Sequence, residues 1–309
     1  MTKSVLCIGA TLIDELYFCN QTIVPHTSNP ASKTSSIGGV VSNILQHLAL
    51  LKVKVTCITA FGTDAEGHFI TEEFQKKGID LKDALFFEES TGKYVSILDA
   101  NGNLYVAVCQ DRTEKYLTPA FLETKSNSIL EADLIIIDTN LSSESIQWVI
   151  DFARKQQKQL IIEPVSVPKA AKLARLNLDG VFMISPNEAE LQAIASIATK
   201  EETQLVKHLQ ERGVANIWLS KGHKGSVLHT PANTIKLDVP TINLLDSTGA
   251  GDAAVAGFVY GYMNRASELH AMQLGHALAF QVLQVKGAVD LQITPEKLIN
   301  VKKIHYHDS

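Results

Sequence analysis

The sequence is poor in cysteine, in long apolar runs and in net charge, and each shortage argues against a class of protein. Its 309 residues hold four cysteines, Cys7, Cys19, Cys57 and Cys109. They are scattered, with no C-x-x-C pair and no Cys/His spacing of the zinc-binding kind. That pattern speaks for reduced thiols in a cytosolic protein rather than a disulfide scaffold or a zinc module. No apolar run approaches the roughly 20 residues that cross a bilayer. The opening "MTKSVLCIGATLIDEL" has too short an apolar stretch for a secretory signal and lacks a cleavage-site pattern. A net charge of -5 gives no general attraction to nucleic acid or anionic lipid, so any anion site must be local. Internal repeats, low-complexity tracts and Pro/Ser-rich linkers are missing too. The expectation is a soluble cytoplasmic protein whose partners are small molecules, not nucleic acid or membrane.

What the chain does contain is a recurring unit. Short apolar runs, "VLCIGA" (5–10), "VTCITAF" (55–61), "LIIID" (134–138), "LIIEP" (160–164), "VFMIS" (181–185) and "NIWLS" (216–220), are each followed by an amphipathic stretch. Continuous apolar strands alternating with helical periodicity predict a mostly parallel sheet covered on both faces. Helices are expected near 40–51, 65–77, 142–156, 187–197, 200–212, 250–263 and 267–286. Two segments break the rhythm. The chain from Glu15 to Ile37 reads as extended, and 92–110 reads as two strands around Asn101-Gly102, where both turn positions favour positive φ. Together they predict a small β-sheet, inserted at about 12–37 and 91–113 of one domain spanning 1–309. As a lid over a site, a dimer contact or a purely structural hairpin, that sheet stays open at this point.

The chemistry is concentrated in "DSTGAGDAAVAGF" (246–258). Gly249 and Gly251 let backbone approach a ligand closely, immediately before a helix that starts near Ala250. Free N–H groups and the positive end of the helix dipole then favour phosphate. Asp252, in the first turn, is expected to be held as a carboxylate by the same dipole, charged at neutral pH and able to accept a proton. Anion donors beside a carboxylate base are what phosphoryl transfer to a hydroxyl requires. A bare tight loop with a capping acid is the simpler reading of the glycines alone, but the full string is more specific. It is neither a Walker A loop, which needs a Lys before Ser/Thr, nor a GxGxxG after the first strand.

This string resembles the C-terminal signature D-T-x-G-A-G-D-x-F of the ribokinase-like (PfkB) family of sugar and nucleoside kinases. It departs at Ala254, where the family commonly has Phe. The resemblance runs over nearly the whole chain. "IGGVVSNILQHLALL" (37–51) is similar to the N-terminal signature, although Lys52 stands where a Gly often ends the helix. "AFGTDAEG" (60–67), "SPNEAEL" (185–191) and "SKGHKGS" (220–226) are similar to further family motifs. It implies a three-layer α/β/α core with a mostly parallel sheet and a small β lid, with ATP and Mg²⁺ as cofactors. By resemblance Asp252 is the catalytic base, and Gly249, Ala250 and Gly251 form the anion hole. Gly38, Gly39 and Asn43 contact sugar hydroxyls. Asn187, Ser220, Gly222, Gly225 and Thr248 serve the nucleotide, and Glu190 organises magnesium, in part through water. The helix of "GHALAFQVLQVKGAVD" (275–290) lines the adenine pocket, with His276 at a base-contact position. The loop after it joins Asp246 in holding a monovalent cation such as K⁺.

Several of these residues also carry a physical reading. Asp14 follows the first strand, at the end where open α/β sheets place ligands, and a carboxylate there can accept two sugar hydroxyls or cap a turn. Asn43 alone reads as a structural cap until Gly38-Gly39 beside it is considered. Glu190 and Asn187, three apart, are expected on one helix face, and one carboxylate suffices for magnesium. Lys221 and Lys224 soften phosphate charge or merely form a solvated loop. His276 reads equally as a buried structural histidine.

The acceptor is suggested by "IIEPVSVPKAAKL" (161–173). Within the family this segment, "GGVVSNI" and "DTNLS" (138–142) are more similar to pseudouridine kinases than to ribokinases or fructokinases. That implies a C-linked nucleoside phosphorylated on its 5′-hydroxyl, with Ser166 and Lys169 as candidate substrate-side residues of unassigned contacts. Ribokinase or another kinase of the fold is the alternative. A catalytically silent nucleoside-binding protein is the reading from another class, and the intact Asp252 argues against it. The lid leaves a homodimer open.

Overall fold

A computed structural model describes residues 3–240, 242 and 245–306. The central eight-stranded sheet holds β1 (Ser4–Ile8), β4 (Lys54–Ile58), β9 (Leu134–Asp138), β10 (Gln159–Glu163), β11 (Met183–Ile184), β12 (Asn216–Ser220), β13 (Ser226–His229) and β14 (Thr234–Leu237). Its order is β14-β13-β12-β11-β10-β9-β1-β4. The strands from β4 to β12 pair in parallel, and β13 and β14 add an antiparallel edge. The apolar runs are continuous because both faces are covered. Cys7, Ile136 and Ile161 point to one core, with the helices Val40–Leu50, Val255–Val259 within Ala250–Met263, and Glu268–Val282. Ile8, Ile135 and Ile162 point to the other, with Ser143–Lys155, Glu188–Ala195 and Glu202–Glu211. Each buried Ile or Leu contributes about 1.5–3 kcal/mol. This is the expected three-layer α/β/α core.

The helices Ala250–Met263 and Glu268–Val282 cross with almost no side chain between them. A Cβ on Gly257 would lie 2.4 Å from Leu274 O, and one on Gly275 would lie 2.6 Å from Ala254 O. Small residues here are a packing requirement, and Ala254 sits in that contact. Lys52 does adopt the left-handed backbone, φ 64°, at a helix end where glycine is the cheaper residue.

The small sheet is present as well: β2 (Leu12–Cys19), β3 (Ala31–Gly38), β7 (Lys93–Leu98) and β8 (Leu104–Gln110), in the order β3-β2-β7-β8. The hairpin turn differs from expectation. Gly102 has φ 83° but Asn101 has no positive φ, and Gly102 N donates to Asp99 O at 2.9 Å. Asp99 Oδ1 accepts from both Asn101 N and Asn103 N, so a three-residue loop ending in a left-handed glycine replaces the two-residue turn. A short β5 (Ala60–Gly62) pairs with β6 (Leu85–Phe87). Elements unforeseen in the sequence are β6, β13, β14, the short helices between 113 and 131, and the helix Pro295–His305.

Candidate active site

The parallel strands end on one edge of the sheet, and the motif residues gather there. Gly38 and Gly39 close β3 and begin the helix Val40–Leu50. A Cβ at Gly38 would fall 2.2 Å from the Asp14 carboxyl carbon. Gly39 has φ 100°, and a Cβ there would lie 2.3 Å from Ala10 O. The Gly-Gly pair therefore lets Asp14 lie against backbone. One turn into the helix, Asn43 Nδ2 donates to Asp252 Oδ2 at 2.7 Å. Asn43 Oδ1 is buried and has no acceptor role filled among the described residues. A lone pair so enclosed costs about 1–3 kcal/mol unless a donor meets it, and a substrate hydroxyl is such a donor. Asp14, Gly38, Gly39, Asn43 and Asp252 thus form one constellation.

Asp252 sits in the first turn of Ala250–Met263, whose N-cap is Gly249 at φ 74°. A Cβ at Gly249 would lie 2.5 Å from Ala288, whereas one at Gly251 would meet nothing within 4 Å. Gly249 is thus required by the fold, while Gly251 keeps a space clear beside the helix start. The expectation that the helix dipole holds Asp252 charged is corrected. Burial pushes its pKa up to about 7, aided by the carboxylates of Asp138 and Asp14, and the Asn43 hydrogen bond only partly offsets this. Burial also raises Asp14 to about 7. A base poised near neutrality is well matched to taking a hydroxyl proton.

Asp246 knits two loops together. Its Oδ1 accepts from Thr248 N and its Oδ2 from Gly287 N, both at 2.9 Å. Burial works against its charge, but the Gly287 and Thr248 amides outweigh it and the pKa is lowered. The 283–287 loop and Asp246 are thus brought together.

On the other flank Asn187 and Glu190 are not two residues of one helical face. Asn187 is the N-cap: its side chain accepts from Glu190 N, and Glu190 Oε2 accepts from Asn187 N, each at 2.9 Å. This capping box spends one oxygen of each side chain locally. Burial raises the Glu190 pKa despite those hydrogen bonds. Asn187 pairs with Ser220 across a bridge, and Ser220 N donates to Pro186 O at 2.9 Å, so the two motifs adjoin. Gly222 and Gly225 turn with φ 57° and 86°, and a Cβ on Gly225 would lie 2.1 Å from Leu237 O. Lys221 is ion-paired with Glu202, away from a free phosphate role, and Lys224 is exposed. His276 has both ring nitrogens engaged, one with Ser226 Oγ at 2.8 Å and one with Tyr306 OH at 3.0 Å. Burial lowers it to about 4, so it is a neutral imidazole in a structural network with Trp218.

Two buried acids escaped the reading of the sequence. Asp138, fully buried, accepts from Ala10 N, Val41 N and Asn140 N at 3.2, 3.4 and 3.0 Å. Glu163 accepts from Ser185 Oγ and is raised by burial, with Asp252 and Glu190 near enough to add to the shift. The available signal was an acid closing an otherwise apolar strand, in "LIIID" and "LIIEP".

A helix start capped by a left-handed glycine, beside a carboxylate that can take a proton, offers the parts of phosphoryl transfer to a hydroxyl, although Ala250 N already donates to Ser247 O at 3.4 Å. They sit on a ribokinase-like fold, which defines the class. Residues 2–295 match the pfkB family carbohydrate kinases, and the chain belongs to that family of alcohol-accepting phosphotransferases. The pseudouridine kinase of Escherichia coli (strain K12) is 29% identical over 258 residues, 82% of each chain. The ribokinase of Staphylococcus aureus (strain COL) is 23% identical over 93% of this chain and 96% of its own. In fold, the Arabidopsis thaliana ribokinase solved with ribose and ATP superposes with a TM-score of 0.85 at 20% identity, over 98% of this chain and 99% of that one. Among the described residues no helix is long and apolar enough to cross a membrane.

Proposed function

We propose that this chain is an ATP-dependent pseudouridine kinase, acting as one cytoplasmic kinase domain with its lid inserted, and giving pseudouridine 5′-phosphate and ADP. The observation that carries the kinase chemistry is Asp252, held at 2.7 Å by Asn43 at the start of a helix whose N-cap is a left-handed glycine. Asp252 takes the proton of the 5′-hydroxyl as that oxygen bonds to the terminal phosphorus and the bond to ADP breaks. The amides of Gly249, Ala250 and Gly251 face the charge on the transferred group. Asp14, Gly39 and Asn43 hold the ribose hydroxyls. Asn187, Ser220, Gly222, Gly225 and Thr248 border the nucleotide.

Among the described residues no cluster of three or more His, Cys, Asp or Glu side chains is set to hold a metal. The Glu190 carboxylate, with only Oε2 spent in the capping box, fits magnesium arriving with the nucleotide, since the ion keeps waters and phosphate oxygens and needs few carboxylates. Glu190 would hold it, and when bound it supplies neutralisation of phosphate charge. Asp246 and the 283–287 loop would hold a monovalent cation.

The acceptor assignment is supported by the relatedness to a pseudouridine kinase and by "PVSVPKAAKL". It is tested by coupled ADP release with pseudouridine, uridine, ribose, fructose and adenosine. Turnover of free ribose at or above that of pseudouridine would sink the pseudouridine reading and favour ribokinase, which similarity to the S. aureus enzyme keeps in view. Calorimetric binding without ADP from any acceptor would favour a silent binder.

A further inference from the structure

The segment that suggested the acceptor has its own geometry, and it leads to the lid. After Glu163 and Pro164 the chain makes a tight turn in which Ser166 N donates to Pro164 O at 2.7 Å and Val165 has φ 66°. A β-branched residue in that region is an outlier held in place by its surroundings. The turn delivers Lys169 and Lys172, three apart, to the stem of the lid. Lys169 Nζ donates to Asn140 Oδ1 and lies 3.5 Å from Asp111 Oδ2. Lys172 Nζ donates to Thr139 O at 3.0 Å and Leu141 O at 2.9 Å, and pairs with Glu114. Asp111 and Glu114, also three apart, directly follow lid strand β8. Arg112 Nε reaches back to Ser90 O at 3.0 Å, tying the two ends of the hairpin together.

The contacts do not stop at Asn140. Its amide donates to Asp138 Oδ1 at 3.0 Å, and Asp138 Oδ2 in turn accepts from Ala10 N and Val41 N. Ala10 follows Gly9 and Val41 lies two residues past Gly39, beside the backbone on which Asp14 and Asn43 stand. One connected network therefore runs from the lid stem, through Lys169, to the backbone beneath the substrate hydroxyls. Burial pushes Asp138 up to about 6, so each donor aimed at it helps to keep it ionised.

We propose that Lys169 is a positioning residue for the kinase reaction, the latch by which Asp111 and Asn140 tie the lid to the substrate-binding floor. Lys172 makes a parallel bridge from Glu114 to the backbone on either side of Asn140, but Lys169 is the lysine whose ammonium meets the Asn140 side chain itself. The kinetic part of the proposal rests on the kinase reading; the structural part does not. The lid is read through the ladder amides that pair β7 with β8.

The experiment compares Lys169→Met, Lys169→Arg and Asp111→Asn with the unaltered chain. It reads hydrogen–deuterium exchange of the β7 and β8 amides, with and without pseudouridine, together with steady-state kinetics and thermal melting. Losing a charge-assisted contact predicts a change of about tenfold. Lys169→Met should raise KM for the nucleoside by that factor and leave KM for ATP within about twofold. It should speed exchange of those amides by a similar ratio and weaken their protection by nucleoside. Lys169→Arg should recover most of both. Lys169→Met that melts normally and exchanges those amides at the unaltered rate overturns the latch. If Lys169→Met melts too low to assay, Asp111→Asn decides from the lid side by the same exchange criterion. If no acceptor yields ADP with the unaltered chain, the kinase reading has failed, and exchange without nucleoside still decides the latch.

Discussion

The central sheet and the lid sheet are both made of short strands, yet they treat side chains in opposite ways. Every residue of β9 is buried, and β10 is buried from Leu160 to Glu163. In β8 six of the seven residues are exposed and Ala107 is intermediate. Strands covered on both faces can offer a ligand only what emerges at their ends, so the core presents backbone turns and a few enclosed carboxylates. The lid presents whole rows of side chains. Ser36, Asp14, Tyr94 and Cys109 are aligned across its strands, and Thr34, Leu16, Ser96 and Ala107 form the next row on the same face. On the proposed reading the phosphoryl chemistry uses the enclosed ends of the core strands, while the acceptor is met from both sheets, by Gly39 and Asn43 at the core edge and by Asp14 on the lid.

The largest effect expected at the core edge is that of Asp252→Asn. Losing the general base should lower kcat by about 10²–10⁴-fold with little change in nucleoside binding. The same variant should melt higher at pH 8, because it removes a carboxylate whose ionisation burial opposes. Near-normal turnover would take Asp252 out of the mechanism.

Next come the glycines, where stability and rate should separate. Gly249→Ala meets both a positive φ and overlap with Ala288, and should cost about 2–4 kcal/mol. Gly251→Ala enters open space, so its melting temperature should stay within a degree or two of the parent on the scale of a neutral substitution. Its kcat should nonetheless fall by about tenfold or more if the transferred group occupies the space that the new methyl would fill. A Gly251→Ala protein with full activity would show that this space is not used.

The acid pair makes the third prediction. Asp252 and Asp14 are each raised to about 7. An aspartate raised by folding keeps its proton in the folded chain over a range where the unfolded chain has released it. Its contribution to stability is therefore full below about pH 4 and is lost as pH rises through about 7. Activity should move the other way, with kcat/KM rising through about pH 7 as Asp252 ionises. Thermal melts and initial rates across pH 5–9 test both signs, about two units either side of that value, and a flat rate profile would contradict a base titrating there.

The contrast between the two sheets also explains what was legible in the sequence. Strand runs such as "LIIID" and the helix starting at Ala250 were legible because apolar periodicity records burial on both faces. Gly38, Gly39 and Gly249 were legible as a motif, and the structure supplies their reasons in Asp14, Ala10 O and Ala288. Partnerships across long sequence separation were not. The capping box is the exception: Asn187 three residues before Glu190 and ahead of Leu191 is a local helix-start signature, and the shared-face reading passes over it. Nothing near His276 announces Tyr306, 30 residues on. Lys169 gives no hint of Asp111, 58 residues back. Pro295–His305 is a mixed-polarity helix whose anchors, Leu298 and Val301, are too few to stand out as a stripe.

The smallest effect is expected at the lid edge. β8 ends the lid sheet, and Val108 and Val106 on it are 63% and 43% exposed. A free edge strand bearing apolar side chains is a template for pairing, and the homodimer that the family resemblance left open would use this edge, since antiparallel pairing of an edge with itself satisfies a two-fold axis. Val108→Lys should leave melting and kcat nearly unchanged, within about 0.5 kcal/mol, because an exposed residue loses little packing. The same lysine at fully buried Ile136 should prevent folding. In sedimentation, Val108→Lys should shift the population towards a single copy, because charge on an edge opposes strand pairing. An unaltered chain that sediments as one copy at every concentration would refute the pairing. It would leave the apolar edge as lid surface alone.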